Sequence, residues 1–223
     1  MAVIRTKITI SRFDKDHRLL ERREQLSRSW VRHLFDILYI MHGNFFNTLA
    51  GITDVGGAGR TMLVTPAAIG TPNLAVGSTP GGVNMMFQAG VSGVVFVWAK
   101  DTPQVGEGVG IVVGSNNVAA TPADNFLGTK ILHGVAAGEL LYGGCEIYGL
   151  SFVNPNGEFK IRRYLTNKSG GNVTIQEVGI YSPAQAAVYE VYVYCIARDV
   201  VAPAVVLANT QILEVEYTPQ ITV

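Results

Sequence analysis

The sequence lacks the motifs by which the common enzyme classes are recognised. It contains no Walker A loop, no GxSxG elbow, no HExxH helix and no CxxC pair. The histidines are scattered, and the two on one predicted helix, His33 and His42, are too far apart to form an i, i+4 ligand pair. We therefore expect a non-enzymatic protein without a metal site or a cofactor.

Charged residues are also scarce. They make up 15% of the chain, whereas soluble domains usually contain about 25%. The scarcity is greatest between Gly43 and Gly114, where the charged residues are Asp54, Arg60, Lys100, Asp101 and Glu107. Because a free monomer usually needs more surface charge, the composition favours a surface covered by other copies of the chain. The alternative is a glycine-rich β monomer with a neutral polar surface.

The chain is neutral overall, but its charge is unevenly distributed. Residues 1–43 contain nine basic and five acidic side chains, so the remaining residues contain eight basic and twelve acidic ones. A net +4 arm therefore precedes a net −4 body. Such an arm can lie on the body of a neighbouring copy, contact nucleic acid, or form a solvated helix face, and the charge alone does not choose among these roles.

Long apolar segments are missing as well. No stretch has the uninterrupted run of about 18 apolar residues that a membrane helix needs, and the first residues lack the apolar core of a signal peptide. Cys145 and Cys195 do not require an oxidising compartment, and Cys195 lies in an apolar run where we expect it to be a buried hydrophobe. These features predict a protein that is made in the cytoplasm and is not inserted into a membrane.

The alternation of apolar and polar residues predicts a mainly β protein. A β-hairpin is predicted over residues 157–181, where two alternating runs are joined by the turn-rich sequence KSGGN. In its first run, Ile161, Arg163 and Leu165 share one face of the strand. The other predicted strands are 3–10, 61–65, 93–100, 140–152, 188–200 and 211–217. Together they predict an antiparallel β-sandwich-like domain.

Two helices are predicted beside these strands. The longer one is amphipathic and begins near Asp14 or Asp16, either of which offers an N-cap, and it ends near His42. Its apolar stripe is wider than a one-sided surface helix needs, which favours packing across a subunit boundary or, alternatively, a central helix wrapped by its own sheet. The candidate interface residues are Trp30, Leu34, Phe35, Ile37 and Leu38.

The shorter helix is predicted to run from Thr121 to about Lys130. Thr121 has the position of an N-cap, Pro122 that of the first helical residue, and Asp124 that of the acid in a capping box.

Two acidic side chains alternate on the last predicted strand. Glu214 and Glu216 lie on one face, where we expect them to be cross-strand partners of Arg162, Arg163 or Arg198 rather than a catalytic pair.

Four segments resemble sequences of tailed-bacteriophage virion structural proteins. They are GVGIVVGSNN, TPADNFLGTKILHG, FKIRRYLTNKSGGNVTIQEVGIY and CIARDVVAPAVVLANTQILEVEYTPQITV. The resemblance covers residues 106–223, and Ser115-Asn116 replace the second glycine of the family pattern. It implies a β-sandwich-like domain present in many copies in a virion, in either the head or the tail, and it carries no catalytic residues.

Three parts of the chain follow from these patterns. Residues 1–43 form the arm, residues 44–105 form glycine-rich loops and strands of the same body, and residues 106–223 form the β domain. We expect a structural component of a virion that assembles as a homo-oligomeric ring, tube or shell element with other virion structural proteins, after synthesis in the host cytoplasm. The alternative is a host-surface or carbohydrate-binding module that uses the loops between Gly43 and Gly90.

Overall fold

The computed structural model describes residues 3–27, 30–34, 48–63, 107–187 and 190–222. These residues form ten strands and one helical turn at residues 32–34. The strands are β1 Val3–Phe13, β2 Leu19–Ser27, β3 Thr48–Thr53, β4 Gly59–Leu63, β5 Gly110–Gly114, β6 Leu141–Val153, β7 Asn156–Thr166, β8 Val173–Ala187, β9 Glu190–Leu207 and β10 Ile212–Thr222.

The strands form two larger antiparallel sheets and one small hairpin. The five-stranded sheet has the order β2-β1-β10-β7-β6, the three-stranded sheet has the order β5-β8-β9, and β3 pairs with β4. The two larger sheets pack against each other around one apolar core. The prediction of a mainly β, antiparallel, sandwich-like fold is therefore confirmed.

Alternating side chains of the five-stranded sheet face this core. On β7, Ile161, Arg163 and Leu165 are buried, as the alternation predicted, whereas Tyr164 between them is exposed. Ile8 and Ile10 of β1 are buried on the same side of the sheet. We call this side the inner face and the opposite side, which includes Tyr164, the outer face.

The long N-terminal helix predicted from Asp14 is wrong over residues 14–27, and of the rest of it the structure shows one helical turn at residues 32–34. Residues 19–27 form β2, which pairs with β1. Asp14 does not cap a helix; its carboxylate accepts hydrogen bonds from the N–H groups of Asp16 and Arg18, both at 2.9 Å, and so closes a hairpin turn. Residues 35–42 of the predicted helix lie outside the described residues.

The short helix predicted at residues 121–130 is also wrong. The predicted capping residues do form a turn, in which the Thr121 N–H donates to the Asp124 carboxylate at 2.8 Å. The chain then continues in turns and bends instead of a helix. The Asp124 carboxylate also accepts a hydrogen bond from Arg198 Nη1 at 2.7 Å. This tertiary contact takes the place of a further helical turn.

The predicted hairpin over residues 157–181 has the correct strands but the wrong pairing. β7 belongs to the five-stranded sheet and β8 to the three-stranded sheet, so the turn between them crosses from one sheet to the other. Gly170 has a φ of 82° in this turn, and Asn167 donates to the Leu207 carbonyl at 2.7 Å, which fixes the turn against the end of β9.

The predicted strand at 93–100 lies outside the described residues. The other predicted strands correspond to β1, β4, β6, β9 and β10, with ends that differ by several residues.

Cys195 is fully buried in β9, as predicted, and burial raises the pKa of its thiol to about 12. In a Cys145→Ser variant, we expect this remaining thiol to react with a thiol reagent only as fast as the protein opens. The measurement is the labelling rate with and without denaturant. Rapid labelling of the native variant would contradict the buried position of Cys195.

Candidate functional site

A buried ion cluster, formed by Glu177, Arg198 and Asp124, lies on the three-stranded sheet. Arg198 Nε is 2.9 Å from Glu177 Oε2, and Arg198 Nη1 is 2.7 Å from Asp124 Oδ2. Glu177 is fully buried, and Arg198 is nearly so. Although burial acts to lower it, the pKa of Arg198 is raised by its hydrogen bonds to Asp124 and Glu177.

The buried ion cluster attaches the loop of residues 115–131 to the sheet. The Glu177 carboxylate accepts hydrogen bonds from the N–H groups of Gly128 and Thr129 at 3.0 and 2.8 Å. Arg198 Nη2 donates to the Val118 carbonyl at 3.0 Å. Both carboxylate oxygens of Glu177 are therefore occupied by protein donors, and the arrangement is that of a structural anchor rather than an acid or base open to a substrate.

A second buried cation joins the two larger sheets. The Arg163 side chain is fully buried on the inner face. It donates to the carbonyls of Val109, Ile111 and Gly143 at 2.7, 2.8 and 2.8 Å, so it links β7 to β6 and to the start of β5. Burial lowers the pKa of Arg163. The sequence placed Arg163 on the apolar face of its strand but gave no sign of these acceptors.

The outer face carries aromatic and charged side chains. The guanidinium carbon of Arg162 lies 4.5 Å from the ring centre of Tyr148 and 5.2 Å from that of Tyr164. Its Nη2 also lies 2.8 Å from the carboxylate of Glu146. Burial and a hydrogen bond to Glu214 raise the pKa of Tyr164 to about 12. This part of the outer face therefore combines two aromatic rings with charged groups.

The structure places both acidic residues of β10 on the outer face. Glu216 is opposite Arg162 in the strand register, but its carboxylate accepts a short hydrogen bond from Tyr148 and lies 3.4 Å from Lys160. Glu214 accepts a hydrogen bond from Ser11 at 3.4 Å. The predicted arginine partners are wrong: the ion-pair partner of Glu216 is Lys160, whereas Arg162 pairs with Glu146 and Arg198 pairs with Glu177 and Asp124.

The five-stranded sheet has an exposed apolar end at the turn between β6 and β7. Phe152 of β6 and Ile221 of β10 flank Gly157, where an added Cβ would lie 2.9 Å from Phe152 and 3.2 Å from Ile221. Leu150, Phe152 and Val153 are 70%, 77% and 69% exposed. We call the following exposed residues the apolar end: Ile147, Leu150, Phe152, Val153 and Ile221. Exposed apolar side chains grouped at one end of a sheet are typical of an interaction site.

Two of the five predicted interface residues lie in the described part of the chain, and both pack on the core of their own chain. Trp30 forms an isolated bridge with Ala197, and its indole N–H donates to Thr6 at 3.1 Å. Leu34 is half-buried against the same core. The other three residues, Phe35, Ile37 and Leu38, lie outside the described residues, so the interface that they define stays a prediction.

Comparisons with protein-family models, with curated proteins and with solved structures found no match. Within the described residues, no group of three or more histidine, cysteine, aspartate or glutamate side chains is arranged to hold a metal ion. The described part of the chain also contains no helix that is long and apolar enough to span a membrane.

Proposed function

We propose that this chain is a non-enzymatic structural component of a bacteriophage virion, in which copies assemble into a ring, a tube or a shell element. The observation that carries the proposal is the apolar end, because exposed side chains of this size and number gain stability when another protein covers them. The resemblance over residues 106–223 supports the virion as the place of assembly.

The ionisable side chains of the described core also support a structural role. Glu177 and Asp124 are engaged by Arg198, and Arg163 holds backbone carbonyls of neighbouring strands. These contacts fix loops and sheets in place, as a rigid assembly unit requires.

The test of self-assembly is the mass of the purified protein in solution, measured by light scattering at two concentrations. We expect a defined multimer of the 24.0 kDa chain. The fraction of the protein in this multimer should rise with concentration. Negative-stain images of that multimer should show closed rings or tubes of uniform diameter. A monomer at both concentrations would contradict self-assembly.

A second candidate function is recognition of a carbohydrate on a host surface. The outer face favours it, because an exposed tyrosine, Tyr164, lies beside the charged groups of Arg162 and Glu214, and sugars bind to surfaces that combine aromatic rings with hydrogen-bonding groups. Most of the loops between Gly43 and Gly90, which the sequence suggested for this role, lie outside the described residues.

A glycan array with the whole protein tests this second function. If it is correct, Tyr164→Ala should lower binding at least about tenfold, while Phe126→Ala, which removes an exposed aromatic ring elsewhere, should leave it unchanged. Absence of binding to every glycan would exclude the carbohydrates on the array.

A further inference from the structure

The free backbone edge of a sheet is the feature by which β proteins add strands from other chains. The two larger sheets have four edge strands, namely β2 and β6 in one sheet and β5 and β9 in the other. These four edges differ in what covers them within the described residues, and the differences single out one edge.

Both edges of the three-stranded sheet are covered by the same chain. On the β9 side, the N–H of Val31 donates to the Ile196 carbonyl at 3.2 Å, and the N–H of Val55 donates to the Val193 carbonyl at 2.9 Å. On the β5 side, the N–H of Ile131 donates to the Val113 carbonyl at 3.0 Å. A further strand cannot add to these edges without first displacing those contacts.

The β2 edge of the five-stranded sheet is protected by charge. Its nine residues, LLERREQLS, include four consecutive charged side chains, Glu21 to Glu24. Charged side chains on an edge strand oppose pairing, because burial against another strand would remove them from water.

The β6 edge is covered only at its start, where the Tyr142 N–H donates to His133 Nδ1 at 3.1 Å; within the described residues, positions 145–153 have neither kind of protection. Its thirteen residues, LYGGCEIYGLSFV, include Glu146 as their one charged side chain, and its second half carries most of the apolar end. The strand has two bulges, between Tyr142 and Cys145 and between Tyr148 and Ser151, but residues 145–148 and 151–153 between and beyond them keep regular pairing with β7.

We propose that the β6 edge is the dimer surface of this protein, where it pairs with the β6 edge of a second copy in antiparallel orientation, and that other contacts join such dimers into the larger assembly. The two copies then form one continuous sheet across a two-fold axis, in which the exposed apolar side chains of β6 in each copy lie beside those of the other. This inference rests on the proposed self-assembly and names the surface that carries it.

The size of the surface fits a dimer. The side chains of the apolar end expose on the order of 500 Å² per copy, given the area that such residues bury. The apolar end of two copies therefore exposes about 1,000 Å² in all, which is the upper limit of what these side chains can bury, and the paired backbones add to it.

The test compares matched lysine substitutions on the two edges of the same sheet. Leu150→Lys places a charge on β6, and Leu26→Lys places one at another exposed leucine, on β2. In light scattering of the full chain, we expect Leu150→Lys to raise the dissociation constant of the multimer at least about tenfold and Leu26→Lys to leave it unchanged. Circular dichroism should show that both variants keep the strand content of the wild type.

Hydrogen exchange gives a second, independent readout of strand pairing. In the wild type, the amides of residues 144–153 should become more protected as the protein concentration rises, while those of β2 should not. A multimer that Leu150→Lys leaves intact and that does not protect the β6 amides would overturn this inference but not self-assembly. A wild-type monomer at every concentration would overturn both.

Discussion

Replacing Arg198 with alanine is expected to lower the free energy of unfolding by about 3–5 kcal/mol, because the change leaves the buried Glu177 carboxylate without its cation. It also removes the donor to the Val118 carbonyl and one of the contacts that hold Asp124. The measurement is chemical denaturation monitored by circular dichroism, with the slope against denaturant compared between variants. A matched control is Arg22→Ala, which removes an exposed ion pair to Glu24 and should cost less than about 1 kcal/mol.

Arg198→Ala should also change how the free energy of unfolding depends on pH. Burial acts to raise the pKa of Asp124, but hydrogen bonds from Thr121 and Arg198 outweigh it, so the pKa lies below its ordinary value of 3.8. A carboxyl group with a lowered pKa stabilises the fold above its ordinary value and loses this contribution as the pH falls below it. The stability of Arg198→Ala should therefore fall less steeply than that of the wild type between about pH 4 and pH 2. Equal steepness would show that Arg198 does not hold Asp124.

Replacing Arg163 with alanine is expected to cost about 3–5 kcal/mol through a different mechanism, because two buried carbonyls and one partly buried carbonyl lose the Arg163 donor and a cavity opens between the sheets. Arg163→Met fills much of the same volume without restoring any donor. We therefore expect Arg163→Met to regain the stability that Arg163→Ala loses through poorer packing. It should not regain the stability that is lost because the carbonyls lack their donor.

The neighbouring arginine is the control for this series. Arg162 is adjacent in sequence but lies on the outer face, where its ion pair with Glu146 is partly exposed. Arg162→Ala should cost no more than about 1 kcal/mol. Thermal and chemical denaturation of the three variants measure the order of their stabilities. An Arg163→Ala variant as stable as Arg162→Ala would contradict the role of Arg163 as the link between β5, β6 and β7.

The positions of most strands and the side chains that face the core could be predicted from the sequence. The two-residue alternation of Ile161, Arg163 and Leu165 is a local property, since neighbouring residues of any strand point to opposite sides. Burial of Cys195 followed from the apolar run around it in the same way. The glycine-rich turn after β7 was also visible, because Gly170 supplies a backbone conformation that few other residues adopt.

Pairing between strands could not be predicted from these patterns. The turn after β7 has the composition of a hairpin turn, yet β7 pairs with β6 and β10, and β8 pairs with β5 and β9. Local sequence specifies that the chain reverses, but the partner of each strand depends on which arrangement buries the most apolar surface across the whole chain.

The candidate sites also combine features that local sequence predicts with features that only tertiary contacts determine. By itself, the sequence determined a mainly β chain with little charge and no recognised catalytic motif, because composition and alternation are properties of neighbouring residues. Only the tertiary structure decided that residues 19–27 form a strand, that Glu177 meets Arg198, and that β6 forms an edge with an exposed apolar end. Each of these depends on contacts between segments far apart in sequence, whose energies outweigh the local preference for a helix or a turn.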